Sequence, residues 1–112
     1  MMKNENSGKI REAARYMVSG LSEKHTTDAL AERSGLSPTT FKVCFRSVYG
    51  KPVHTWLTER RAARAARLLR SCPELSIGEI AFRVGYENAG KFSAVFRRIY
   101  GVTPRDYRSR SR

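Results

Sequence analysis

Near the start of the chain, apolar residues recur at Ile10, Ala13, Ala14, Met17, Val18 and Leu21. That is the i, i+3, i+4, i+7 spacing of a helix with one buried stripe. The period returns at Phe41, Phe45 and Val48, and again at Phe92, Phe96 and Ile99, each set predicted to face a core. From Pro52 onward, Trp56, Leu57, Ala62, Ala65, Ala66, Leu68 and Leu69 alternate with Arg60, Arg61, Arg64, Arg67 and Arg70. This reads as a long amphipathic helix, opened by Pro52 and stopped near Ser71-Cys72-Pro73. Pro104 starts a short final helix containing Tyr107, and Arg108 to Arg112 reads as a frayed tail. No segment makes a convincing strand. The pattern predicts an all-α chain of seven helices.

The chain also repeats itself. Leu30-Ala31 precedes Gly35, and Phe41, Phe45, Tyr49-Gly50 and Trp56 follow. Ile80-Ala81 precedes Gly85 at the same distance, and Phe92, Phe96, Tyr100-Gly101 and Tyr107 follow, with one extra residue after Gly85. A period of about 50 residues marks two related supersecondary units. Each reads as helix, turn, helix. Thr26 and Ser76 are placed to cap the short helices, and Ser76 with Glu79 makes a capping box. Gly35 and Gly85 suit the positive φ of an abrupt helix end, Gly50 and Gly101 close the second helices, and Ala31 and Ala81 let those helices cross closely. Two helices joined by a tight glycine turn is the plan of a DNA-binding helix-turn-helix. The boundaries drawn are 1–51 for the first unit, 52–71 for a linker helix and 72–112 for the second unit.

Charge sharpens this picture. The 112 residues carry 22 Lys and Arg against 10 Asp and Glu, a net +12. Up to Ser34 there are six basic and five acidic residues, which leaves 16 and five, a net +11, for the remainder. An excess of that size calls for a polyanionic partner. No apolar run approaches the roughly 18 residues of a membrane span, and the amino terminus lacks the apolar stretch of a secretion signal. Cys44 and Cys72 form no Cys-x-x-Cys pair, and His25 and His54 have no companion at ligand spacing, so no metal or other cofactor is expected. No nucleophile–base pair, carboxylate dyad or glycine-rich phosphate loop occurs, and a non-enzymatic protein of the reducing cytoplasm is expected.

The linker, at ~1.5 Å per residue, spans roughly 27 Å. Successive major grooves on one face of duplex DNA lie roughly 34 Å apart. Such a helix can set two recognition helices into adjacent grooves. Here the pattern resembles the DNA-binding domain of AraC/XylS-type transcription regulators. The resemblance rests on Leu30-Ala31-x3-Gly35-x-Ser37, Phe45-Arg46, Tyr49-Gly50, Trp56-Leu57, Arg61, Ala65 and Leu68-Leu69. It continues through Ser76-Ile77-x-Glu79-Ile80-Ala81-x2-Val84-Gly85-Tyr86, Phe92, Phe96-Arg97-Arg98, Gly101-Val102-Thr103-Pro104 and Tyr107-Arg108, covering about residues 9–108. It implies two homeodomain-like helix-turn-helix subdomains joined by a long helix, binding promoter DNA in two adjacent major grooves. It also implies a contact with RNA polymerase, as in activators of this type. Many members carry a separate effector-binding domain, for which 112 residues leave no room. A stand-alone member and an isolated DNA-binding domain both fit. A chain that spans two grooves by itself is expected to act as a monomer on DNA.

On a helical wheel Phe41, Cys44, Phe45, Val48 and Tyr49 occupy one side, and Thr39, Lys42, Val43 and Arg46 the other. The family's base-reading positions map to Thr39, Thr40, Lys42 and Val43. Their counterparts lie among Asn88, Ala89, Gly90, Lys91, Ser93 and Ala94. Lys42 can donate to a guanine edge, while Thr39, Thr40 and Val43 can meet bases or a thymine methyl. The second face is poor in long donors, which predicts an asymmetric reader. Ser37, Arg46, Lys51, Arg83, Arg97 and Arg98 are assigned to phosphates, which set register and carry little sequence information. Arg61 has equal claims to a structural role, holding the linker helix, and to a functional one. Cys44 is expected to be a buried thiol. The competing reading is an architectural or RNA-binding protein that uses the same basic surface without reading bases.

Overall fold

A computed structural model of the protein describes residues 4–111. Among them there are seven helices and no strand. These are α1 (Asn4–Ser19), α2 (Thr27–Ser34), α3 (Pro38–Tyr49), α4 (Val53–Ser71), α5 (Ile77–Arg83), α6 (Ala89–Tyr100) and α7 (Pro104–Arg110). The fold divides into two compact units, one ending at Thr58 and the other beginning at Glu59, so the boundary falls inside α4.

Unit 1 is built on α1, α2, α3 and the first turns of α4. The apolar stripe of α1 delivers Ile10, Ala13, Met17 and Leu21 to a core with Leu30, Ala31, Phe41, Cys44, Phe45, Val53 and Leu57. Unit 2 draws its core from the end of α4 (Ala65, Ala66, Leu69), from Leu75, Ile80, Ala81 and Val84, and from Phe92 and Phe96 of α6. The two ends of α4 therefore do different jobs. Its first turns close unit 1 as α7 closes unit 2, and its last turns occupy the chain position before α5 that α1 occupies before α2.

The repeat extends to the hydrogen bonds. The Leu36 N–H donates to the Ala31 carbonyl at 2.9 Å, and the Tyr86 N–H donates to the Ala81 carbonyl at 2.9 Å. This six-to-one bond reverses the chain at a helix end. It places Gly35 at φ 72° and Gly85 at φ 104°, in the region glycine tolerates best. Side-chain caps start the helices. Thr26, Ser37, Ser76, Asn88 and Thr103 each accept a bond from the N–H three residues on, and Ser76 with Glu79 completes the expected capping box.

The aromatic rows superpose in kind. The Phe45 ring meets Trp56 edge-on at 5.6 Å and 75°. The Phe96 ring meets Tyr107 edge-on at 5.4 Å and 76°. Both pairs fall in the favoured T-shaped range.

Two expectations require correction. Ile99 does not face the core; it is 38% exposed. In unit 1 α1 packs along α3 and Val48 is half-buried against that core, whereas α6 has α5 and α7 as its main neighbours. Tyr100 and Tyr107 close over Phe96, and Ile99 lies on the outer side of the last turn. The second correction concerns the tail. α7 continues to Arg110, and Arg108 is docked rather than frayed. Its Nε donates to the Leu69 carbonyl at 3.0 Å and its Nη2 to the Cys72 carbonyl at 3.1 Å, where α4 ends. Arg112, the last residue of the expected tail, lies outside the described residues.

Candidate nucleic-acid interface

α3 begins at Pro38, whose missing N–H costs nothing in the first turn. Phe41, Cys44 and Phe45 are buried. Thr39, Thr40, Lys42, Val43 and Arg46 are all exposed, so the face predicted from the wheel is the outward one. Val43 is 60% exposed, an apolar side chain set among polar and cationic ones. The helix contains no acidic residue. Ser37 and Thr40 are coupled, because the Ser37 hydroxyl donates to Thr40 Oγ1 at 3.0 Å while accepting from the Thr40 N–H at 3.2 Å. Ser37 thus holds the helix start, and a phosphate contact would share an oxygen already engaged.

α6 repeats the plan with shorter side chains. Phe92 and Phe96 are buried; Gly90, Lys91, Ala94, Arg97 and Arg98 are exposed; Ala89 and Ser93 are half-buried. This helix also lacks acidic residues. The Asn88 carboxamide oxygen accepts from the Lys91 N–H at 2.8 Å, so any contact of Asn88 with a base falls to its Nδ2 group. A Cβ placed on Gly90 would stand 3.3 Å from that same oxygen. Glycine there has a local reason, room for the cap. Arg83 is exposed at the end of α5, and Lys51 is half-buried between α3 and α4.

Behind this face Arg61 and Tyr86 form a partly buried pair, with the guanidinium 6.0 Å from the ring centroid. Burial lowers the Arg61 pKa, and the Tyr86 side chain partly offsets that shift. Burial raises the Tyr86 pKa against the pull of Arg61 and Arg98. In unit 1 Arg33 lies 3.7 Å from the Glu12 carboxylate and stacks 3.7 Å from the Tyr16 ring centroid.

Two residues beside the interface have no signal in sequence spacing. His54, at the start of α4, lies 3.2 Å from Thr27 Oγ1 through its Nε2. Both border a cavity whose other wall is Lys42, Val43 and Arg46. They are 27 residues apart, and only the folded chain brings them together. Cys44 is buried as expected, and Cys72 is half-buried. Among the described residues no cluster of three His, Cys, Asp or Glu could hold a metal ion, and no helix is long and apolar enough to cross a membrane.

Comparison with known proteins bears on the family and the fold. A helix-turn-helix domain family model matches residues 30–110. The chain is 35% identical over 100 residues to the F1 operon positive regulatory protein of Yersinia pestis, covering 88% of this chain and 33% of that protein. It is 30% identical over 109 residues to the HTH-type transcriptional activator RhaR of an Enterobacter species, covering 97% of this chain and 38% of that one. The chain thus spans about a third of the length of such relatives. Among solved structures, the DNA-binding domain of the transcriptional factor AdpA, in complex with a target DNA, aligns with a TM-score of 0.86 and 32% identity over 90% of both chains. A transcriptional regulator from Chromobacterium violaceum with an AraC-type DNA-binding domain aligns with a TM-score of 0.86 and 27% identity over 97% of this chain and 96% of that one. The chain belongs to the AraC-type helix-turn-helix family of DNA-binding transcription regulators.

Proposed function

We propose that this domain reads a specific promoter sequence, placing α3 and α6 in adjacent major grooves as a monomer. The observation that carries the reading is the outward face of α3, where exposed Val43 sits among Thr39, Thr40, Lys42 and Arg46 with no acidic residue on the helix. A purely electrostatic grip has no use for an exposed valine, whereas a thymine methyl offers it an apolar partner. Lys42 donates to a guanine edge, and Thr39 and Thr40 contact neighbouring bases. In the second groove Lys91, Ser93 and Ala94 meet the bases, with Asn88, Ala89 and Gly90 framing the helix start. Ser37, Arg46, Lys51, Arg83, Arg97 and Arg98 hold phosphates and set the register. The domain works in the cytoplasm, where promoter DNA lies, and acts with RNA polymerase when it activates.

Selection of bound sites from randomised duplexes tests this. Lys42→Ala is expected to erase base preference at one position and to weaken the selected site by about 1–3 kcal/mol. Unchanged preference and affinity would remove Lys42 from the reading face. The architectural alternative predicts binding abolished by a large excess of unrelated duplex, whereas a sequence reader keeps its site.

A further inference from the structure

Beside the reading face of α3 lies a cavity of about 330 Å³ with mainly apolar walls. Its floor and sides come from three separate elements: Thr27 at the start of α2, Val43 on α3, and Pro52-Val53-His54 leading into α4. Lys42 and Arg46, one turn apart on α3 and both exposed, line the same cavity, so two long cationic side chains border it, and no acidic side chain lines it. The Thr27–His54 contact, 3.2 Å long, ties together the two helix starts on the far wall. The volume is about twice the ~150 Å³ of an apolar cavity that takes up benzene. It lies at the lower end of the ~300–1,000 Å³ range of small-molecule sites.

From this juxtaposition we infer a binding site for a small organic anion with an apolar body of about two fused rings, whose carboxylate meets Lys42 and Arg46. The apolar walls exclude a simple inorganic anion as the best fit, because such an ion gains nothing from them and loses hydration. The two cations favour an anion over a neutral hydrocarbon, because only the anion gains charge-assisted hydrogen bonds from them. An occupant would use the side chains proposed above to hold DNA, so occupancy and DNA binding exclude each other. This exclusion rests on the proposed reading of α3; the site itself does not. By linkage the anion lowers DNA affinity by the same factor by which DNA lowers the anion's.

The test uses 2-naphthoate, with 2-naphthamide as its neutral counterpart, followed by amide NMR shifts on the DNA-free chain. Saturable shifts are expected at Thr27, Val43, Val53 and His54, with naphthamide binding about tenfold more weakly. Arg46→Ala should weaken naphthoate about tenfold, the loss of one charge-assisted hydrogen bond. Absence of saturable shifts overturns the site, and equal affinity for naphthamide overturns its anion selectivity. Displacement of bound duplex by naphthoate, read by fluorescence anisotropy, tests the exclusion separately. Naphthoate that saturates the cavity while DNA stays bound would leave the site standing and overturn the placement of α3 in the groove. Duplex binding that depends on Lys42 together with no naphthoate binding would do the reverse.

Discussion

The Arg61 guanidinium lies against the face of Gly85 where a side chain would begin: a Cβ built on Gly85 stands 2.9 Å from its Cζ. Gly85 also has φ 104°, a conformation that side-chain-bearing residues rarely adopt. The backbone conformation is the main demand for glycine in the turn between α5 and α6, and the end of the Arg61 side chain would have to shift as well. Substitution with alanine is expected to cost about 2–3 kcal/mol, part from the backbone and part from displaced Arg61. Adding Arg61→Ala should relieve the clash and leave the backbone part, so the double mutant will recover less than the whole loss. A double-mutant cycle in urea measures both. Fully additive losses would show that the two residues do not meet.

Arg108 joins the last helix to the end of α4 through two carbonyls, at 3.0 and 3.1 Å. Its branched head reaches both at once, which an ammonium on a single stem does poorly. Arg108→Ala is expected to destabilise unit 2 by about 1.5–3 kcal/mol, and Arg108→Lys to restore less than half. Hydrogen exchange should speed up first at Cys72 and Leu75, next to the freed carbonyls.

Glu79 is held below the usual carboxylate range, chiefly by the Ser76 backbone N–H at 2.8 Å and then by the Ser76 side chain. A depressed folded-state pKa stabilises above the unfolded value, about 4.3, and that stability is lost as the pH falls through the folded value. Glu79→Gln keeps an acceptor and removes the charge. The parent should therefore be the more stable at pH 7, with the gap closing as the pH drops below about 4. Thermal melts from pH 7 to pH 3 read the gap directly. A gap that widens on acidification would contradict the cap.

Phosphate grip and base reading separate by salt. Each neutralised phosphate contributes about 0.9 to the slope of log affinity against log salt on duplex DNA. Arg46→Ala and Arg97→Ala should each lower the slope by about 0.9 and weaken all sequences alike. Ala94→Asp places a negative charge on the α6 face and should weaken the selected site strongly. A nearly flat slope for the parent would refute the electrostatic part of the proposal.

Much of this was legible in the chain. The 3.6-residue period, the 50-residue repeat and the capping residues are local signals. They suffice for seven helices, two glycine turns and the outward side of α3, because a helix carries its own hydrogen bonds and sorts its faces by spacing alone. Which neighbour covers a face is not local. Ile99 and Val48 hold equivalent positions in the repeat, yet one is exposed and the other packed, since only α3 has a helix like α1 along it. Arg108 belongs by sequence to a charged tail, and finds its carbonyls 39 and 36 residues away. The same holds for the cavity between Thr27, α3 and His54. Sequence spacing determined the elements and their buried stripes; the meeting of side chains far apart in the chain was decided by tertiary packing, where shape and unsatisfied polar groups choose the partner.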